Sequence, residues 1–473
     1  MTPMHIRSMY FVGIKGVGMT PLAVIAKQAG IQVRGSDLAQ TFITDTLLSA
    51  AGIKPDVGFD PSMLGDVDFV VATGAHGGME NPQVKEAMKR NIRVVMQGQA
   101  VGMFMQGEIV GRHFTGISVS GSHGKTTTTA MIATIFQEAG LDPSYIIGTG
   151  TIPSLPANGY FGSGEFFIAE ADEYATDAMY DKTPKFLWQH PKTLIVTNIE
   201  LDHPDLYDSV DSVRAVFLQF AKQVGSQGNL IICGDQAQNK LLLQEYQGPA
   251  TTYGFSPEND VTIAMLDGKN ERQFRLQKRG QDLGTYALAV PGDHNVLNAT
   301  AAILCALAYT IPIPAIQKGL QAFLGTKRRF EYKGILPDGA MLYDDYAHHP
   351  TEIATTLKAT RQRFPDKEIV CIFQPHTYSR TKKLLNEFAQ AFSEADEVIL
   401  TDIYPSARED PDPTISSQKL AELLAKKTHV FYAPSLADVV EYISRKRFTN
   451  TYVLITMGAG DIYTISEKLG TRR

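Results

Sequence analysis

The run Gly121-Ser122-His123-Gly124-Lys125-Thr126-Thr127 concentrates more chemistry than any other short stretch of this chain. Glycines let backbone N–H groups close on phosphate oxygens, and the N-terminus of a following helix adds a positive dipole. In such a loop Lys125 sits on the transferred phosphate, and the Thr126 hydroxyl is placed to complete a Mg2+ shell. The usual G-x-x-x-x-G-K-T spacing is not met, because Val119 stands where that pattern wants glycine. A polar helix cap is the alternative. The strand before the loop and the helix after it favour phosphate.

Other constellations surround this loop in the sequence. Gly13, Gly16 and Gly18 follow a strand, and Asp37 lies at a ribose-binding distance beyond them, although the order is not the G-x-G-x-x-G of dinucleotide folds. An ordinary strand–helix turn fits these glycines nearly as well. A nucleotide held there as well as at the phosphate loop would carry its own pyrophosphate. Glu170, Asp172 and Glu173 end the apolar strand FFI, where carboxylates can orient Mg2+ or form a solvated acidic turn. Glu200, Asp202, His203 and Asp205 end a second such strand; His203 reads as a metal ligand or as a loop histidine. Asn298 can meet an adenine edge, with Asn295 as either partner or helix cap beside His294. Arg328 and Arg329 sit in a basic hinge, either reaching phosphate or simply solvated. Asp344-Asp345-Tyr346-Ala347-His348-His349-Pro350 suits ligand contact better than burial, and Arg380, after Gln374-Pro375-His376, presents a cation to an anion.

The elements that must position these groups alternate strand and helix, which argues for an α/β chain with parallel sheets. MYFV, IQVRGSD, DFVVATGA and IRVVMQ are the strands of a first block, with PLAVIAKQAG and PQVKEAMKRN as helices. A second block carries FFIAEAD, TLIVTNIE, NLIICG, a polar strand-like section around 250–290, and an Ala-rich helix from PGDHNVLNAT. A third runs from MLYDD to TYVLITMGAGD. At 473 residues the length predicts about three domains. With 44% hydrophobic and 20% charged residues, wholesale disorder is excluded. A net charge of −6 argues against broad nucleic-acid binding. Cys233, Cys305 and Cys371 are too dispersed for a disulfide framework or a thiolate metal site. No apolar run approaches the ~20 residues of a membrane span, and the first residues lack a signal core. The expectation is a cytoplasmic protein.

Taken in order, GIKGVGM, SGSHGKTTT, EADE, NIELDHPD, PGDHNVLNATAA, KRRFE, DDYAHHPTEI, QPHTYSRT, DIYPSARE and GAGD give the chain a whole-length resemblance to the Mur ligases of peptidoglycan synthesis. The family's short G-x-x-G-K-T loop also accounts for Val119. The resemblance implies a three-domain architecture. A Rossmann-like N-terminal domain (1–108) would hold a UDP-sugar, a P-loop central domain (109–325) would bind ATP, and a Rossmann-like C-terminal domain (326–473) would close over both. The implied reaction ligates L-alanine to the lactyl carboxylate of UDP-N-acetylmuramate through an acyl phosphate, giving ADP and phosphate. ATP and Mg2+ are the implied cofactors, with no nucleic-acid or membrane partner and a monomer or weak homodimer as the assembly.

Carried over residue by residue, Lys125 would stabilise the γ-phosphate within a nucleotide loop of Gly121, Ser122, His123, Gly124, Thr126 and Thr127. Thr126 and Glu170 would hold one Mg2+ and His203 a second. His294, Asn295 and Asn298 would meet adenine, with Arg329 and Asp345 also on ATP. His348 and Arg380 would orient the amino acid or acyl phosphate, and Gly13, Gly16, Gly18 and Asp37 would serve UDP. Thr377 departs from members with a second arginine there, and no lysine matches the carbamylated lysine of other Mur ligases. A tripeptide-recycling ligase acting on the same UDP-sugar is the nearest rival, and EADEY with DKTPKFLWQHPKT tilts toward it. A nicotinamide-dependent dehydrogenase would leave the phosphate loop and EADE unexplained, and a non-catalytic nucleotide-binding regulator has no need for DDYAHHP and QPHTYSRT.

Overall fold

Ser8–Val12, Phe69–Ala72 and Thr193–Val196 are apolar at consecutive positions apart from Ser8 and Thr193 at their starts, the pattern of strands covered on both faces. In the computed structural model, which describes residues 6–266, 272–405 and 409–472, the last two are buried at every residue. Ser406, Ala407 and Arg408 of the DIYPSARE motif lie outside the described residues. The chain parts into two compact units, one of residues 1–201, 206–289 and 295–326, the other of 202–205, 290–294 and 327–473.

The first unit contains two main sheets among its described residues. A parallel sheet runs in the order Asp56–Val57, Gln32–Asp37, Ser8–Val12, Phe69–Ala72, Arg93–Met96. The order reverses beside Ser8–Val12, so the glycine turn after Val12 opens at the point where such sheets take ligands. The second sheet is centred on Thr115–Ser120, flanked in parallel by Phe166–Glu170 and Thr193–Val196. Asn229–Cys233 and Ala250–Gly254 extend it in parallel. The polar section beyond forms a meander of Val261–Leu266, Arg272–Lys278 and Gln281–Leu288. A two-stranded hairpin, Ala175–Asp177 with Asp181–Pro184, stands apart from both sheets.

One apolar cluster serves both sheets of this unit. Met9, Phe11 and Leu22 share it with Phe104 and Met105 of helix Gln97–Met105 and with Ile146, Phe167 and Ala169 of the second sheet. Burial of this kind stabilises by roughly 25 cal/mol per Å2 of apolar surface removed from water, which binds the two sheets into one unit.

Among its described residues the second unit is built on six strands. Glu331–Ile335 pairs antiparallel with Met341–Asp345, and Tyr452–Met457, Glu368–Phe373, Glu397–Leu400 and His429–Tyr432 continue in parallel. Asp344, Asp345, Gln374 and Gly458 all emerge at the carboxyl ends of its neighbouring central strands. Among the described residues, no helix is long and apolar enough to cross a membrane.

Candidate active site

Thr115–Ser120 ends at the Gly121–Gly124 turn, and helix Lys125–Glu138 starts directly after it. Gly124 takes φ 81°, a left-handed conformation that L side chains rarely adopt. A Cβ there would also lie 2.5 Å from Asn298 Oδ1. Asn298 therefore packs under the turn, and its Nδ2 donates to Asn295 Oδ1 at 3.3 Å. The turn is held from the neighbouring strand end: Ser122 N–H donates to Asn198 O at 3.0 Å and His123 N–H to Asn198 Oδ1 at 2.8 Å. His123 Nε2 lies 3.4 Å from Glu200 Oε2.

The acidic strand end meets this turn. Lys125 Nζ is 2.9 Å from Glu173 Oε2 and also donates to the carbonyls of Gly121 and Ser122. The Glu173 side chain is only 1% exposed, so the ammonium has a desolvated counter-charge. Thr126 Oγ1 donates to Glu170 Oε2 at 3.2 Å, while Glu170 Oε1 accepts from Gly148 N–H at 2.7 Å. Asp172 Oδ2 pairs with Lys185 Nζ at 2.8 Å. The Gly121–Thr127 loop and the carboxylates Glu170 and Glu173 are thus brought together in one unit.

The earlier glycine turn is closed by Asp37. Its Oδ2 accepts from Lys15 N–H at 2.7 Å and its Oδ1 from Leu38 N–H at 2.8 Å, with His76 Nε2 3.6 Å away. Gly13 has φ 81°, and a Cβ on it would strike Thr73 Cγ2 at 2.5 Å. Gly16 O accepts from Met19 N–H at 2.9 Å, and Gln97 Nε2 donates to Gly18 O at 3.2 Å. Asp37 is therefore a brace of the turn, with Lys15, Thr73 and Gln97 as neighbours that spacing alone does not reveal.

In the second unit the acids and imidazoles after Met341–Asp345 form a tight network. Asp344 binds Arg328 Nε at 3.2 Å and Thr456 Oγ1 at 2.6 Å. Arg328, stacked between the Tyr346 and Tyr463 rings, is the buried structural member of the hinge pair. Arg329 instead reaches Glu352 Oε1 at 3.3 Å. Asp345 accepts from Phe330 N–H and Ala347 N–H, each at 2.8 Å; burial pushes its carboxyl up to about 6, against the pull of Arg329. Burial likewise lowers His348 to about 4, opposed by Glu352, so its ring is neutral at pH 7. His348 Nδ1 lies 3.0 Å from Tyr346 O and 3.3 Å from Glu352 Oε2, two acceptors that place the proton on Nδ1 and leave the Nε2 lone pair bare.

Arg380 meets Asp202 of the same unit through Nε at 3.0 Å and Nη2 at 2.6 Å, and Nη1 lies 3.3 Å from His376 Nδ1. Burial alone would raise the Asp202 carboxyl, but Arg380, with His203, His348 and His349, holds it well below the usual range. His203 has φ 57° and its Nε2 lies 3.6 Å from Asp202 Oδ2. Thr377 precedes helix Tyr378–Lys383 with φ 71°. His203 and His294 fall in the second unit, whereas Thr126, Glu170, Asn295 and Asn298 fall in the first. Glu352 is the member that sequence reasoning passed over. Its signal was present: it stands three residues after the helix cap His349, the spacing of a capping box.

Three stretches match family models: residues 8–108 the Mur ligase family catalytic domain, 119–306 the Mur ligase middle domain, and 328–460 the Mur ligase glutamate ligase domain. The chain is 40% identical over 470 residues to a UDP-N-acetylmuramate–L-alanine ligase of Desulfitobacterium hafniense, covering 99% of each. It is 38% identical to a ligase of the same name from Lawsonia intracellularis, covering 98% of this chain and 99% of that one. Among solved structures it resembles the UDP-N-acetylmuramate–alanine ligase of Thermotoga maritima, with a TM-score of 0.81 at 26% identity over 98% of both chains. The murein peptide ligase of Psychrobacter arcticus superposes with a TM-score of 0.69 at 25% identity, also over 98% of both. With relatives of this identity along its whole length, the chain belongs to the Mur ligase family, among the UDP-N-acetylmuramate–L-alanine ligases.

Proposed function

We propose that the chain joins L-alanine to the lactyl carboxylate of UDP-N-acetylmuramate, with ATP converted to ADP and phosphate. A carboxylate is a poor acyl donor because its leaving group would be an oxide. Phosphorylation makes an acyl phosphate, and phosphate then leaves when the amine attacks. Such transfer needs mainly positioning and charge neutralisation. The observation carrying this reading is the loop in which Lys125 faces Glu173 and Thr126 faces Glu170.

In this reading, residues 1–108 hold the UDP-sugar, 109–325 bind ATP and 326–473 complete the site. Lys125 exchanges its carboxylate and carbonyl partners for phosphate oxygens, within the loop formed by Gly121, Ser122, His123, Gly124 and Thr127. Thr126 Oγ1 and Glu170 Oε2, 3.2 Å apart, are hard oxygen donors of the kind Mg2+ takes, and these two residues would hold it. Bound Mg2+ supplies neutralisation of phosphate charge. His203 is the residue assigned to a second Mg2+. Asn298, Asn295 and His294 are assigned to adenine, and Arg329 and Asp345 to ATP. Gly13, Gly16 and Gly18 receive UDP in a turn braced by Asp37. The bare Nε2 of His348 accepts from the incoming amine, and Arg380 directs the carboxylate end. A cytoplasmic location and a monomer or weak homodimer complete the reading.

The test is phosphate release with components omitted singly, followed by product mass across L-alanine, L-serine, glycine and the tripeptide acceptor. Release should require UDP-N-acetylmuramate, amino acid and Mg2+ together. Equal release with ATP alone refutes the ligase reading, and a tripeptide adduct in place of the alanine one transfers it to the recycling reaction.

A further inference from the structure

Directly after EADEY the chain folds into the hairpin Ala175–Asp177 with Asp181–Pro184, which the roles given to Glu170 and Glu173 leave unused. Asp177 is 3% exposed and divides its carboxylate between two structures. Oδ1 accepts from Met179 N–H at 2.9 Å and Tyr180 N–H at 3.2 Å, closing the hairpin's own turn. Oδ2 accepts from Met79 N–H at 3.1 Å, a residue 98 positions earlier in the loop after Phe69–Ala72. That loop is strongly bent there, with His76 at φ 55°, Gly77 at 88° and Gly78 at 52°. A Cβ on Gly78 would lie 2.1 Å from Asp177 Oδ2, so the loop is shaped around this carboxylate. Its other end, Thr73, packs its methyl against Gly13, and His76 faces the Asp37 brace.

We propose that Asp177 is a positioning residue for UDP-sugar binding: it fixes residues 73–79 and, through Thr73 and His76, the Gly13–Gly18 turn. The proposal rests on the assignment of that turn to UDP. Four residues before Asp177, Glu173 holds Lys125, so one short piece of chain braces both phosphate-binding turns.

Asp177→Asn separates the hairpin's integrity from its grip on the loop. The amide keeps one oxygen for Met179 and Tyr180, and its NH2 then faces Met79 N–H, donor against donor. The KM for UDP-N-acetylmuramate should rise about tenfold, the scale of one charge-assisted bond, with kcat and the KM values for ATP and alanine within twofold. Lys182→Ala, exposed on the same hairpin, serves as a control that leaves all constants unchanged. Hydrogen exchange without ligand should rise at residues 13–18 and 73–79 in Asp177→Asn only. Unchanged exchange and KM overturn the proposal. So does an equal rise in all three KM values with a lower unfolding midpoint, which is a general folding role. Should the wild-type chain bind no UDP-sugar by calorimetry while exchange at 13–18 still rises in Asp177→Asn, the mechanical link stands and the functional assignment fails.

Discussion

Replacing Asp202 by Asn removes one charge from a pair whose side chains are 5% and 6% exposed. The wild-type carboxylate takes two guanidinium N–H bonds on one oxygen, and the variant leaves Arg380 charged and buried with only neutral acceptors. Breaking a buried pair from one side costs about 3–5 kcal/mol, mostly the uncompensated charge. For a unit of this size each kcal/mol moves the midpoint by roughly 2–4 °C, so a fall of about 6–20 °C is expected. Calorimetry on the full chain reads it, and fluorescence of the single tryptophan, Trp188 of the first unit, reports separately on that unit. The pH dependence gives a second reading. Asp202 has a depressed carboxyl, so its contribution is complete above the ordinary aspartate range near ~4 and is lost as pH falls through the folded value. The gap between wild type and variant should therefore be constant from pH 8 to 5 and narrow below that. A midpoint within 1–2 °C (about half a kcal/mol) of wild type at pH 7, or a gap that widens in acid, refutes the reasoning.

Lys125→Ala should lower phosphate release by about a hundred- to a thousandfold while calorimetric binding of UDP-N-acetylmuramate persists; loss of sugar binding contradicts the separation of the two turns. Glu352→Gln keeps an oxygen for the helix cap but removes the charge facing Arg329 and His348, so kcat/KM should fall about tenfold, with a smaller drop in the unfolding midpoint than in Asp202→Asn because the Arg329 side chain is 27% exposed. His348 and Asp345 titrate with opposite signs. A histidine lowered to about 4 destabilises the fold as pH drops from about 6.5, whereas an aspartate raised to about 6 stabilises it on acidification between 6 and the ordinary value. His348→Gln should uncover the aspartate's effect, so urea midpoints of the variant rise from pH 6 to 4 relative to wild type. Parallel profiles would falsify that pairing.

The strand–turn–helix loop of Gly121–Thr127, the acidic strand ends and the alternation of strands and helices were legible because each depends on local spacing. Strand–turn–helix context placed Lys125 and Thr126, and consecutive apolar runs marked the buried strands. What stayed hidden depends on distant backbone. Spacing puts Asp37 at a ribose-binding distance; that its oxygens also serve Lys15 and Leu38 N–H is visible only once the turn is folded. Asp177 meets Met79 through a backbone donor, which leaves no mark of residue type at position 79. The hairpin itself has strands of three and four residues, too short for a period-2 pattern. In sequence Asp202 stands beside the metal candidate His203, and only the fold shows that its charge answers Arg380.

The apolar cluster shared by the two sheets of the first unit bears on how this protein can be divided. Residues 8–108 correspond to one family model, yet Phe104 and Met105 are buried against the same core as Ile146, Phe167 and Ala169. A polypeptide ending at 108 would present those side chains to water, where they become a surface for self-association. The matched stretch ends at residue 108, while the solvent-excluding core continues beyond it. Recombining its first segment with the remainder of a distant relative therefore requires matching side-chain volumes across that seam, as well as joining the sequence at its boundary.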